Sequence, residues 1–141
     1  MRLQDQVCSQ KVAQTLKMLG VHQNSLFHWS NVGVGWKILQ PSKYTIEEHP
    51  KCYVSAFTAS EIETMLPATI TRDSITYFLT VIKESEFYQC GYKRIDEKFG
   101  TYIVHGPSDV DTLVECYAKM LVQLIEEKLL TIEYCNNKIK G

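Results

Sequence analysis

Several things this sequence lacks bound what the protein can be. No stretch approaches the roughly 20 apolar residues that a membrane-spanning helix needs. The five cysteines, Cys8, Cys52, Cys90, Cys116 and Cys135, are odd in number and contain no Cys-x-x-Cys pair. A chain of 141 residues, 45% hydrophobic, can also build a core without cross-links. Free thiols in a reducing compartment are therefore expected. With a net charge of −1, no overall field draws in nucleic acid or an anionic membrane. There is no internal repeat, low-complexity tract or linker, so one domain over 1–141 is expected. The opening MRLQDQVCSQK lacks the apolar core of a secretory signal. The expected location is the cytoplasm.

The charge that is present is mildly uneven. Residues 1–43 hold five Lys or Arg and one acid, whereas residues 44–141 hold ten bases and fifteen acids. A dipolar surface accounts for that contrast.

Apolar periodicity and turn chemistry outline the elements. Cys8, Val12, Leu16 and Leu19 recur at helical spacing and Gly20 follows as a cap, which predicts a helix over 4–19. Leu26–Trp29 and Gly35–Leu39 are aromatic and β-branched around a polar turn, and predict a hairpin. Residues 41–55 are polar with two prolines and are expected to be mostly loop. Thr58-Ala59-Ser60-Glu61 forms a capping box that opens a short helix over 58–66, which Pro67 stops. Residues 74–83 are apolar on both alternating sets, predicting a central strand covered on each side. Further antiparallel strands are expected at 87–93 and 101–105, with turns at Glu84-Ser85 and 96–100. A final helix over 109–129 is expected, with Ser108 as its cap and Asp109 and Asp111 at its positive end. The tail after it reads as a short extension that frays. Together these predict an α+β fold: a mostly antiparallel sheet of four or five strands with helices packed on it, layered as an α/β/α sandwich.

Chemistry-bearing residues are present but unassembled. His49 and Cys52 stand three apart, yet a structural zinc needs four ligands in two close pairs. His22, His28, Cys90 and His105 enter that set only by elimination, so neither a metal nor a cofactor is expected. A cysteine nucleophile needs a thiolate, a base and an orienting group, and no cysteine here sits in such a signature. Cys8 and Cys116 fall at or beside apolar helix faces and read as packing. Glu47-Glu48, Glu84, Glu86 and Asp96-Glu97 fall in turns or loops, where solvated acids are the default. Gly33-Val34-Gly35 lacks the strand-to-helix context of a phosphate loop. No catalytic residue is assigned. A hydrolase or thiol enzyme remains an alternative, and it requires His105 or His49 beside Cys90 or Cys52 in a cleft.

Binding features are clearer. Residues 12–29 outline a helix-turn-helix, with Gly20 in the turn and a second helix from Asn24 toward Trp29. No Arg or Lys lies between residues 18 and 36 to meet phosphates, and the continuation favours strand, so a packing helix feeding a hairpin is preferred. Aromatics cluster on or beside the expected strands. Trp29, Trp36 and Tyr53 are the candidate partner-binding residues, since such a face can anchor a protein or stack bases.

Three stretches together resemble a family of small proteins from phages and prophages of gut bacteria. The first is Tyr53–Pro67, similar to the pattern AFT-x-x-E-[LI]-x-x-x-LP. The second is Leu19-Gly20-Val21 followed by Ser25-Leu26-Phe27-x-Trp29. In the third, Ala118-Lys119-Met120-Leu121 and Leu124-Ile125-Glu126 resemble the closing helix. Ile62-Glu63 and His105–Ser108 depart from the family's usual residues. The resemblance implies an α+β domain of phage origin in a bacterial cytoplasm, and implies no activity and no site residues. The expected function is that of a non-catalytic accessory protein that binds a protein partner or self-associates. Nucleic-acid binding is the alternative; no membrane partner is expected.

Overall fold

The structure, a computed structural model, describes residues 2–94, 102–108 and 110–139. The first elements are α1 (Gln10–Met18), β1 (Phe27–Ser30), β2 (Lys37–Leu39), α2 (Lys43–Glu48), β3 (Tyr53–Ala56) and α3 (Ala59–Met65). Next come β4 (Thr69–Arg72), β5 (Ile75–Glu84), β6 (Phe87–Lys93), β7 (Tyr102–His105), α4 (Leu113–Glu126) and α5 (Ile132–Lys138). The α+β class holds. The strands divide between two antiparallel sheets, ordered β2-β1-β3 and β4-β5-β6-β7.

Helix α1 starts later than its periodicity predicts, because Ser9 caps it by accepting from the Val12 N–H. Cys8 fits the helical period but lies in extended chain, donating its N–H to Phe57 O at 2.9 Å. Gly20 follows α1 with φ +101°, the left-handed conformation that favours glycine after a helix. The second helix of the helix-turn-helix alternative does not form among the described residues; the chain runs irregularly from α1 to β1, as the preferred reading of a helix feeding a hairpin has it.

The hairpin β1–β2 forms as expected, with Trp29 opposite Ile38. Residues 41–55, expected as loop, supply α2 and β3. Pro41 and Pro50 lie outside α2 rather than in it, and Ser42 caps it through the Thr45 N–H. β3 is only four residues long and is buried along its whole length against β1. The Thr58 capping box forms in full, both bonds present.

β4 went unread in the sequence. It joins β5 through Asp73-Ser74, both at positive φ, a tight hairpin turn made without the usual glycine. β5 lies inside its sheet, yet only one of its faces meets the core. Tyr77, Leu79 and Val81 pack inward, while Phe78 on the other face is 40% exposed. The layering is therefore sheet, helices, sheet: α1 packs against β3 and α4, and α4 packs against β6.

Thr112, not Ser108, caps α4. An antiparallel bridge ties Val110 to Tyr88 just ahead of that cap. As far as Ile139 the tail does not fray. Thr131 caps α5, Cys135 is fully buried, and Asn136 binds Gly20. The turn expected at 96–100, the start of the strand at Thr101 and the acid at Asp109 lie outside the described residues.

One apolar cluster links these pieces, drawing Leu16 from α1, Val54 from β3, Ile62 and Met65 from α3, Tyr92 from β6 and Leu121 and Leu124 from α4. Leu121 has no exposed surface. Leu121→Ala removes its side chain and leaves a cavity, and should cost about 2–5 kcal/mol in urea unfolding.

Candidate functional site

The three candidate aromatics do not share a surface. Trp29 is half-buried against the core, and its indole N–H donates to Cys8 O at 2.9 Å. Tyr53 pairs with Ser30 and Trp29 with Val54, so Tyr53 faces the opposite side of the small sheet, where it is 7% exposed. Trp36 borders a surface cleft, beside Met18, Lys17 and Lys51.

The thiol hypothesis meets the wrong partners. Cys90 Sγ lies 3.2 Å from Cys116 Sγ, beneath α4. Its hydrogen bond with Cys116 and its burial both hold Cys90 well above the ordinary thiol range. His105 stands opposite Gly91, on the other face of the sheet, with its ring 4.9 Å from that of Tyr102. Burial pushes Cys8 up to about 12 and Cys135 up to about 11. His49 contributes its backbone oxygen to the Cys52 N–H. Among the described residues, no group of three His, Cys, Asp or Glu could hold a metal ion. No helix among them is long and apolar enough to cross a membrane.

Two features stand out instead, each an inversion of the usual arrangement. The first is a polar layer inside the small sheet. His28, Ser30 and Ser55 are all buried, and His28 stands directly opposite Ser55 on the neighbouring strand. Ser55 Oγ is 3.4 Å from His28 Nε2, while His28 Nδ1 has no hydrogen-bond partner. Burial lowers the His28 pKa; the Gln23 backbone opposes this in part, without coming into hydrogen-bonding geometry with Nδ1. His28 lines a cavity of about 450 Å3, together with His22, Gln23, Ser25, Lys43 and Glu47. Although Ser55 and His28 are adjacent, Ser55 is fully buried and does not line that cavity, so its hydroxyl is not presented to a substrate.

The connection before β1 frames the cavity, and bonds from distant elements hold it. The His22 N–H donates to Asn136 Oδ1 at 2.7 Å, and Asn136 Nδ2 donates to Gly20 O at 3.1 Å. Asn24 Nδ2 donates to Ile139 O at 2.7 Å, and the Leu26 N–H to Glu61 Oε2 at 3.0 Å. Gln23 Oε1 accepts from the Ser55 N–H at 2.7 Å. An irregular segment is thereby given the fixed geometry of a regular element.

The second feature is the outer face of the four-stranded sheet. Register places Phe78, Thr80 and Ile82 of β5 beside Lys93, Gly91 and Gln89 of β6, all pointing away from α4. Phe78 is 40% and Phe87 42% exposed. The Tyr102 ring covers Gly91 so closely that an added Cβ would stand 2.9 Å from it, and Lys93 Nζ lies 5.7 Å from that ring's centre. Lys93 stands at the Phe78 end of this face and Glu84 at the Phe87 end. The signal for this face was in the sequence: β5 is apolar on both sides, which an outward interface satisfies as well as a second buried layer does.

Comparison with protein-family models, curated proteins and solved structures finds no match to this chain.

Two measurements check these environments. Iodoacetamide at neutral pH should modify Cys52, which is partly exposed, and spare the four buried thiols until the protein is unfolded. Rapid labelling of Cys90 or Cys116 in the folded protein would contradict the packing. For His28, the unfolded state takes up a proton near the ordinary value of 6.5, whereas the folded state resists until lower pH. Its contribution to stability is therefore present above pH 6.5 and lost as pH falls through the folded pKa. Unfolding free energy should decline there by at most about 1.4 kcal/mol per pH unit from this group, and His28→Gln should flatten the decline.

Proposed function

We propose that the protein is a non-catalytic accessory protein of phage or prophage origin, acting in a bacterial cytoplasm by self-association through the outer face of its four-stranded sheet. The phage setting rests on the sequence resemblance. The observation that carries the self-association is the half-exposed pair Phe78 and Phe87 on a face that no helix among the described residues covers. Sheets stack about 10 Å apart when their facing side chains are apolar and nearly uncharged. Charge favours a second copy as the occupant. In a two-fold stack with antiparallel strands, the Lys93 end of one copy lies over the Glu84 end of the other, so opposite charges meet at both margins.

Nucleic acid fits this face less well. Phosphate contacts need several cations, and the β5–β6 part of the face offers Lys93 alone. Catalysis at Ser55 or at the Cys90–Cys116 pair would need a reachable nucleophile, and all three side chains are buried.

Sedimentation equilibrium or light scattering up to high micromolar concentration tests the reading. The wild type should show a concentration-dependent dimer, and the double variant Phe78→Asp, Phe87→Asp should be monomeric with unchanged circular dichroism. A wild type that stays monomeric throughout, or a dimer indifferent to these substitutions, would overturn it.

A further inference from the structure

The cavity beside His28 carries an inference independent of the sheet face. Histidine is often found inside proteins with both ring nitrogens satisfied; here one is not. His28 is 3% exposed, and its Nδ1 has no partner. Ser55 bears on which ring nitrogen carries the proton. Its hydroxyl is fully buried, and His28 Nε2 is the partner the structure gives it, at 3.4 Å. When the hydroxyl donates to Nε2, that nitrogen is an acceptor, and the ring proton of a neutral imidazole sits on Nδ1. With that tautomer, the cavity wall contains a buried N–H donor that no acceptor, the Gln23 backbone included, meets in hydrogen-bonding geometry. A buried donor left unpaired is costly, and native proteins keep few of them.

The other polar groups around the cavity are largely spent. Gln23 uses its side-chain oxygen on the Ser55 N–H and its nitrogen on Val21 O, and Asn24 donates to Ile139 O. His28 Nδ1, the His22 ring and the Lys43 ammonium therefore remain to recognise a ligand, with Glu47 one helical turn after Lys43 on α2. A neutral donor beside one cation selects an oxygen acceptor of low charge. Glu47 offsets the Lys43 charge and disfavours a doubly charged group such as phosphate.

We propose that this cavity is a binding site for a small monocarboxylate, whose carboxylate accepts from His28 Nδ1–H with Lys43 as counter-charge. The volume of about 450 Å3 admits an organic acid the size of a substituted benzoate. The bonds from Asn136, Glu61 and Ser55 to the 20–26 segment mean that the site is formed before the ligand arrives, so little ordering opposes binding.

The test follows the His28 ring nitrogens by long-range 1H–15N spectra while the protein is titrated with benzoate, acetate, benzamide or inorganic phosphate. The proposal expects a neutral ring protonated at Nδ1, saturable shifts of that nitrogen with benzoate, and weaker responses to phosphate. Lys43→Gln changes an exposed residue and leaves the fold intact; it should weaken benzoate by about tenfold, and His28→Asn should weaken it at least as much. Benzamide should fall to the level of the Lys43→Gln variant, because the counter-charge then does nothing. No saturable shift with any carboxylate would overturn the site and leave an ordered water as the partner of Nδ1. Phosphate binding tighter than benzoate, or benzoate binding unchanged in the Lys43→Gln variant, would overturn the ligand class.

Discussion

Two small sheets can belong to one stable protein only if a single interior serves both. The three-stranded sheet has strands of four, three and four residues, too little for independent stability. It is stabilised by contact with α1, which packs in turn on α4, and α4 packs on the larger sheet. Side chains from both sheets enter the same apolar cluster. Side-chain bonds across long stretches of sequence reinforce this. The Ser9 N–H donates to Glu115 Oε1 at 2.9 Å, tying the start of α1 to the first turn of α4. Asn136 of α5 holds the chain on both sides of Val21. Without α5, the segment that frames the His28 cavity would lose two of its anchors.

Where the burden falls on local chemistry, the sequence was readable. The Thr58–Glu61 capping box lies within four residues and formed as written. The apolar stripe of α4, the β1–β2 hairpin and the long β5 strand follow from spacing and residue type. What failed to read depended on distant partners. α2 and β3 are short and lie in or at the end of a polar, proline-containing stretch, and β3 exists because β1 and α1 cover it. The Asp73-Ser74 turn hid β4 by omitting glycine. α5 reads as a fraying tail because contacts with distant elements, α3, the Gly20 segment and the shared core, fix it. The division into two sheets is a matter of non-local pairing, on which composition is silent.

The same rule governs the candidate sites. Trp29, Trp36 and Tyr53 drew notice as large aromatics, yet register sends Trp29 and Tyr53 to opposite faces of one sheet. His28 attracted notice only as one histidine among four. Its importance comes from the cross-strand pairing with Ser55, 27 positions away, and from the folded-over 20–26 segment. The molecule departs twice from the ordinary partition of polar and apolar groups. It buries a polar layer in the small sheet and leaves an aromatic face open on the large one. Both departures carry a free-energy cost in the isolated chain, and a bound partner would relieve each of them: a polar ligand the first, an apolar surface the second.

Native-state hydrogen exchange under increasing urea tests the shared interior most directly. With one interior, the slowest amides of β1 and β3 and those of β5 and β6 should converge on the same opening free energy with the same urea dependence. Exchange of the three-stranded sheet at a distinctly lower free energy, while the four-stranded sheet stays protected, would contradict the account.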